Sequence, residues 1–177
     1  MTEELFDVVD EHDQVQGQLP RSVVHARRLL HRAVHIFVFN SRGELLLQLR
    51  SADKDEYPLC YTSSASGHLG AGESYDQAAP RELEEELGLS HCALEWLHKF
   101  PAGPETSQEH TVLYRTVTDA PLRIDPREIA EATFHPLDKI AAMLECEPAK
   151  FSPCFVTLWA WYRRWNRNDL FRTTVFG

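Results

Sequence analysis

Apolar residues fall along this chain in two alternating rhythms. The segment "RAVHIFVFNSRGELLLQLRS" carries apolar runs at Val34 to Phe39 and Leu45 to Leu49, separated by the turn formers Asn40, Ser41, Arg42 and Gly43, and predicts a β-hairpin. "LCYTSSASG", Leu59 to Gly67, is small, polar and β-capable, so it reads as a strand lining something other than a core. His110 to Thr118, Glu131 to Pro136 and Leu94 to Phe100 read as three more strands. Helical spacing takes over from Tyr75 to Leu87, from Pro136 to Leu144 and from Pro153 to Trp165. Strands and helices alternate without a regular βαβ rhythm, which predicts a mixed α/β or α+β fold. With no repeat, low-complexity tract or long linker, residues 1–177 are expected to form a single domain. Pro101 to Glu109 is the most loop-like internal stretch, placed to border a site.

Composition narrows the function classes. At 177 residues and 43% hydrophobic content, the chain can bury a sizeable core. A formal net charge of -9 leaves no basic footprint for nucleic acid, whereas a small phosphorylated ligand held through metal remains compatible. The N-terminal "MTEELFDVVDEHD" is acidic where a secretory signal would be basic, and no apolar stretch is long enough to span a bilayer. A cytoplasmic protein without a membrane partner is expected, and a homodimer is left open. Four cysteines without CxxC spacing suggest neither a zinc knuckle nor a redox pair, and are expected to be buried free thiols.

The chemistry concentrates in "GHLGAGESYDQAAPRELEEELGL", Gly67 to Leu89. On a helix, Glu82, Glu85 and Glu86 stand at i, i+3 and i+4 and converge, while Glu84 falls off that face. Leu83 and Leu87 share another face that anchors the helix, and Gly88 is the expected left-handed residue ending it. Three converging carboxylates form a hard-oxygen set suited to Mg²⁺ or Mn²⁺. Pro80 is awkward, because it removes a backbone donor inside the expected helix. It predicts a distorted first turn or a late helix start.

Gly67, Glu73, Arg81, Glu82, Leu83, Glu85, Glu86, Gly88 and Leu89 fill the pattern G-x5-E-x7-R-E-(aliphatic)-x-E-E-x-G-(aliphatic). This resembles the signature box of Nudix hydrolases. The resemblance implies an α/β/α sandwich with a mixed sheet and metal-dependent cleavage of a diphosphate linked to another moiety. It further implies Glu82, Glu85 and Glu86 as metal ligands, joined by the Gly67 carbonyl, and a Glu73–Arg81 salt bridge bracing loop against helix. The implied partner is a small-molecule diphosphate, of nucleoside-diphosphate or isoprenoid-diphosphate type. Glu86 and Glu109 both stand as candidates for the general base, beside catalytic Glu85.

Leu30 to Ser51, the Ser66-Gly67-His68 triplet and Lys150 to Pro153 are also similar to segments of isopentenyl diphosphate isomerase. That likeness implies a second divalent position, for Zn²⁺ or Mn²⁺, built from His25, His31, His68 and Glu109, although the spacing from His25 to His31 is one residue short. Where the isomerase has its active-site cysteine, this chain has Ser66. Moving a proton between carbons calls for a titratable group, which a thiol supplies and an alcohol does not supply easily. Hydrolysis is therefore the preferred reading, with isomerisation and a non-catalytic diphosphate-binding module as its rivals.

Overall fold

A computed structural model describes residues 3–173. In chain order its elements are β1 (Leu5–Val9), β2 (Val15–Pro20), α1 (Arg21–Ala26), β3 (His31–Phe39), β4 (Leu45–Arg50), β5 (Tyr61–Thr62) and β6 (Ala65–His68). They continue with α2 (Tyr75–Leu87), β7 (Glu95–Phe100), β8 (Glu109–Val117), β9 (Ile129–His135), α3 (Leu137–Cys146) and α4 (Pro153–Thr173). β1 and β2 form a small antiparallel sheet, and the other strands a seven-stranded mixed sheet. Among the described strands, β3 and β8 pair in parallel over their full lengths, from His31 opposite Glu109 to Phe39 opposite Val117.

The central strands are buried on both faces. Val34, Ile36 and Val38 of β3, Leu46 of β4 and Val112 of β8 pack with Ala78, Ala79, Leu83 and Leu87 of α2. Their alternate neighbours Phe37, Phe39, Leu45, Leu47 and Leu113 pack with Ile140 of α3 and Phe155, Leu158 and Trp159 of α4. A period of two with both faces covered is what apolar runs such as "LLLQL" require.

Three sequence expectations are corrected. The tight turn after β3 forms, with Gly43 at φ +75°, but the hairpin ladder shrinks to the single pair Phe39 and Leu45. Ser64 explains this. Its hydroxyl accepts from the Val38 amide at 2.8 Å and donates to the Leu46 carbonyl at 2.6 Å, a wedge that holds β3 and β4 apart. For the same reason the strand expected from Leu59 to Gly67 breaks into β5 and β6, with Ser63 and Ser64 fully buried between them. Pro80 neither delays nor interrupts α2, which runs from Tyr75 to Leu87. The helix is held at its start by the Ser74 amide donating to the Gln77 side chain at 2.9 Å and along its length by the buried Ala78, Ala79, Leu83 and Leu87. This packing outweighs one missing backbone bond.

The N-terminal elements β1, β2 and α1 were not legible, because β2 is mostly exposed and shows no apolar alternation. Of the cysteines, all free, only Cys154 is buried. No helix among the described residues is long and apolar enough to cross a membrane.

Candidate active site

β6 is the seam of the site. Its Gly67 and His68, one residue apart, present opposite faces, because successive side-chain positions in a strand alternate. A Cβ on Gly67 would lie 2.1 to 2.4 Å from the Glu82 carboxyl atoms, so the glycine opens the space that Glu82 occupies. His68 turns instead toward His31 and Glu109.

On the α2 side, the glutamates gather around one cation. Arg81 binds Glu73 twice, Nε to Oε1 at 2.8 Å and a terminal nitrogen to Oε2 at 2.8 Å. Its other terminal nitrogen reaches Glu82 at 2.7 Å and Glu85 at 3.2 Å. A further donation to the His68 carbonyl, at 3.0 Å, stitches α2 to β6. Glu73 also accepts from the Gly70 amide at 2.9 Å. Hydrogen bonding by Glu73, with the charge of Glu82, raises the Arg81 pKa further above its ordinary value.

The carboxylates differ in setting. The Glu85 side chain is 59% exposed, while Glu82 and Glu86 are buried. Burial pushes Glu82 up to about 7, against the pull of Arg81. Burial and the neighbouring Glu82 charge push Glu86 up to about 8, against hydrogen bonds from Ser66 and Gln48. Burial, more than like charge, holds both acids above the carboxylate range, and acids shifted this way in a cavity mark a candidate functional site.

The second cluster comes from four separate elements. His25 ends α1, His31 starts β3, His68 ends β6 and Glu109 starts β8. Parallel pairing sets His31 beside Glu109, and antiparallel pairing sets His68 beside Ala33, two residues on from His31 and on the same face. One ligand atom from each of the three histidines lies within 4.8 Å of the others. His68 Nε2 is 3.0 Å from Glu109 Oε1. His31 Nδ1 sits 2.9 Å from the Leu29 carbonyl, which suits a proton on Nδ1 and turns Nε2 toward Glu109. That Nε2 lies 3.5 Å from Glu109 Oε1 and, like His25 Nε2, is buried without a hydrogen-bond partner. Two buried imidazole nitrogens left unsatisfied beside a carboxylate fit a cation between them.

Phe6 of β1, fully buried, packs against all three rings, at 6.0 Å from His25, 5.8 Å from His31 and 4.9 Å from His68. It was not foreseen; the signal was one aromatic in an otherwise acidic N-terminus. Burial, then the charges of His68 and His31, lower His25 to about 4. For Glu109 burial works upward, yet the two imidazoles beside it, His31 at 3.5 Å and His68 at 3.0 Å, win and hold it well below the carboxylate range. Two of the remaining histidines find other partners. His35 binds Ser63 at 2.7 Å and meets Cys154 at 3.4 Å, and His110 binds the Asp10 carbonyl at 2.9 Å.

Both clusters border one cavity of about 910 Å³, whose lining includes Glu82, Glu85, Glu86, Gly67, His25, His68 and Glu109. Arg21, Arg50, Lys54, Arg123 and Arg127 line it too, interleaved with acids such as Asp55, Glu128 and Asp125, which pair with Arg21, Lys54 and Arg127.

A mixed sheet between helices, carrying a glycine loop and a glutamate-bearing helix over one cavity, defines a class of fold and site. The NUDIX domain model matches residues 29–155, and the chain belongs to the NUDIX family. It is 40% identical over 131 residues to the uncharacterized Nudix hydrolase PA4841 of Pseudomonas aeruginosa, covering 74% of this chain and 78% of that protein. It is 32% identical over 153 residues to an isopentenyl-diphosphate Delta-isomerase of Pectobacterium atrosepticum, covering 84% and 85%. Among solved structures, the crystal structure of DR0079 from Deinococcus radiodurans matches with a TM-score of 0.68 and 31% identity, over 78% of this chain and 90% of that one.

Proposed function

We propose that this protein is a divalent-metal-dependent Nudix diphosphate hydrolase, a pyrophosphohydrolase, acting by attack of water on phosphorus. The observation that carries the reading is the meeting of Glu82, Glu85 and Glu86 with Gly67 in the lining of one cavity, where Glu82 fills the space that the glycine leaves open. Mg²⁺ or Mn²⁺ held by these carboxylates and the Gly67 carbonyl would supply charge neutralisation at the phosphate oxygens and a more acidic water. The chain's own groups do the rest. Arg81 orients Glu73, Glu82 and Glu85; Arg50, Lys54 and Arg123 are placed to draw in and orient the diphosphate anion; Glu86 or Glu109 accepts the proton of the attacking water. A base must hold a lone pair at working pH. Glu109, kept ionised by two histidines, meets that condition without help, whereas Glu86 meets it only once its proton has been displaced.

His25, His31, His68 and Glu109 are proposed as a second divalent position, for Zn²⁺ or Mn²⁺, on the strength of the two orphaned imidazole nitrogens. The named isomerase relative keeps double-bond isomerisation as a second reading, but Ser66 lines the cavity as an alcohol, which disfavours it.

Phosphate release is the test, measured across nucleoside diphosphates, nucleotide sugars, dinucleotides and isoprenoid diphosphates with Mg²⁺ and Mn²⁺ supplied separately. Turnover of at least one class, abolished by EDTA, is expected. Tight binding of a diphosphate without turnover would replace the hydrolase with a binding module. Dimethylallyl diphosphate formed from isopentenyl diphosphate would replace it with an isomerase.

A further inference from the structure

Gln48 is a polar residue set in the apolar run "LLLQL". On β4, Leu45 and Leu47 face α4 while Leu46 faces α2, so Gln48, two residues beyond Leu46, also faces α2. It is 1% exposed. A buried amide left without partners is destabilising, so Gln48 needs them. Its Nε2 donates to Glu86 Oε2 at 3.0 Å, and the Ser66 amide donates to the same oxygen at 3.1 Å. Among the described residues no hydrogen bond reaches Glu86 Oε1, although Glu86 lines the cavity.

We infer that Gln48 is a positioning residue for the glutamate box: with the Ser66 amide it occupies one oxygen of Glu86 and fixes the carboxylate so that the other is presented to the cation and the substrate. This rests on the proposed metal-dependent reading. It assigns to β4 a part in the site that no residue of the box pattern encodes. Two donors on one oxygen restrict the rotamer of a long side chain, which otherwise has freedom to lose on binding. Partners of this kind, hydrogen-bonded to a ligating group, typically tune metal affinity or activity by about 10–100-fold.

The experiment compares wild type, Gln48→Leu and Gln48→Glu, each in a His68→Ala background that removes the proposed second position, with Mn²⁺ alone as the probe. Mn²⁺ affinity is read by electron paramagnetic resonance without substrate, melting is followed in parallel, and kcat and KM are taken at saturating Mn²⁺ on the best diphosphate. Gln48→Leu is expected to weaken Mn²⁺ binding about 10-fold and lower kcat about 10–100-fold, with KM unchanged. Gln48→Glu, equal in volume but with an acceptor facing Glu86, is expected to be worse. Variants that melt as wild type and bind Mn²⁺ as tightly would overturn the inference. So would loss of the melting transition in both, which would assign Gln48 to core packing. Failure of the wild type itself to bind Mn²⁺, or equal binding by Glu82→Gln, would instead sink the reading on which the inference rests.

Discussion

The glutamate box and the histidine cluster meet at Gly67 and His68, yet they manage charge in opposite ways. In the box, acids outnumber the one guanidinium among them, and Glu82 and Glu86 answer by holding protons to about 7 and about 8. In the cluster the acid is the minority group. Glu109 stays ionised because imidazoles serve it, and His25 is held neutral down to about 4. One region is a set of hard oxygens; the other adds borderline nitrogens, two of them buried without a hydrogen-bond partner. Two neighbouring positions with different cation preferences are what this contrast predicts.

The sharpest break is Glu85→Gln against His68→Ala. Glu85→Gln removes one charge at nearly constant volume from an exposed position, so melting should hold while phosphate release falls on the order of 10³-fold, the size typical of losing a preorganised electrostatic contact. His68→Ala should cost about 10-fold, with the loss traced to the second position. In crystals soaked with Zn²⁺ or Mn²⁺, anomalous density beside His31 and His68 should vanish in His68→Ala while density beside Glu82 and Glu86 persists. Density only at the box, in wild type as well, would return the histidines to ordinary hydrogen-bonding roles.

Next in size is Arg81→Ala. Arg81 pairs with Glu73 and Glu82, whose side chains are 18% and 12% exposed, so its loss strands two mostly buried acids. Breaking a buried pair costs about 3–5 kcal/mol. With a third of the guanidinium exposed, about 2 kcal/mol is a fairer expectation, or about 4–8 °C in melting temperature for a chain of this length. No charge-removing substitution in the histidine cluster should match it. Unchanged melting would show that the brace between loop and helix carries no stability.

How legible each region was follows from how it is encoded. The box lies within Gly67 to Leu89, and a helix converts its spacing directly into convergence, so residues and geometry were both readable. The histidine cluster draws on four elements joined by the β3–β8 and β3–β6 registers, and spacing along the chain contains no trace of those pairings. Only family likeness suggested it. Phe6 and Gln48 lay beyond both routes. One comes from an N-terminal strand whose partner is too exposed to show a pattern; the other is a single amide in a leucine run, legible as an anomaly but without a partner until α2 is docked. The hairpin expectation failed at one hydroxyl, because local propensity cannot foresee Ser64 inserting between two strands.

The smallest effect sharpens the comparison through pH, in protein freed of metal by EDTA. Glu82 and Glu86 have folded-state pKa values raised from the ordinary 4.5 to about 7 and about 8. Folded protein therefore binds more protons than unfolded across that window, and their contribution is lost as pH rises. His25 and His35 are depressed from 6.5 to about 4, each chiefly by burial; their contribution is present above 6.5 and lost as pH falls. Between about 4.5 and 6.5 the two pairs oppose each other and stability should change little. From 6.5 to 8 only the carboxyls still titrate, so stability should decline. With water reaching both acids through the cavity, about 1 kcal/mol is expected, or about 2–4 °C in melting temperature. Glu86→Gln should flatten this limb and His68→Ala should leave it, while saturating Mg²⁺ should reverse it by binding the ionised carboxylates. A melting temperature that rises from pH 6.5 to 8 without metal would mean that the box does not store protons, and the proposed contrast between the two clusters would fail.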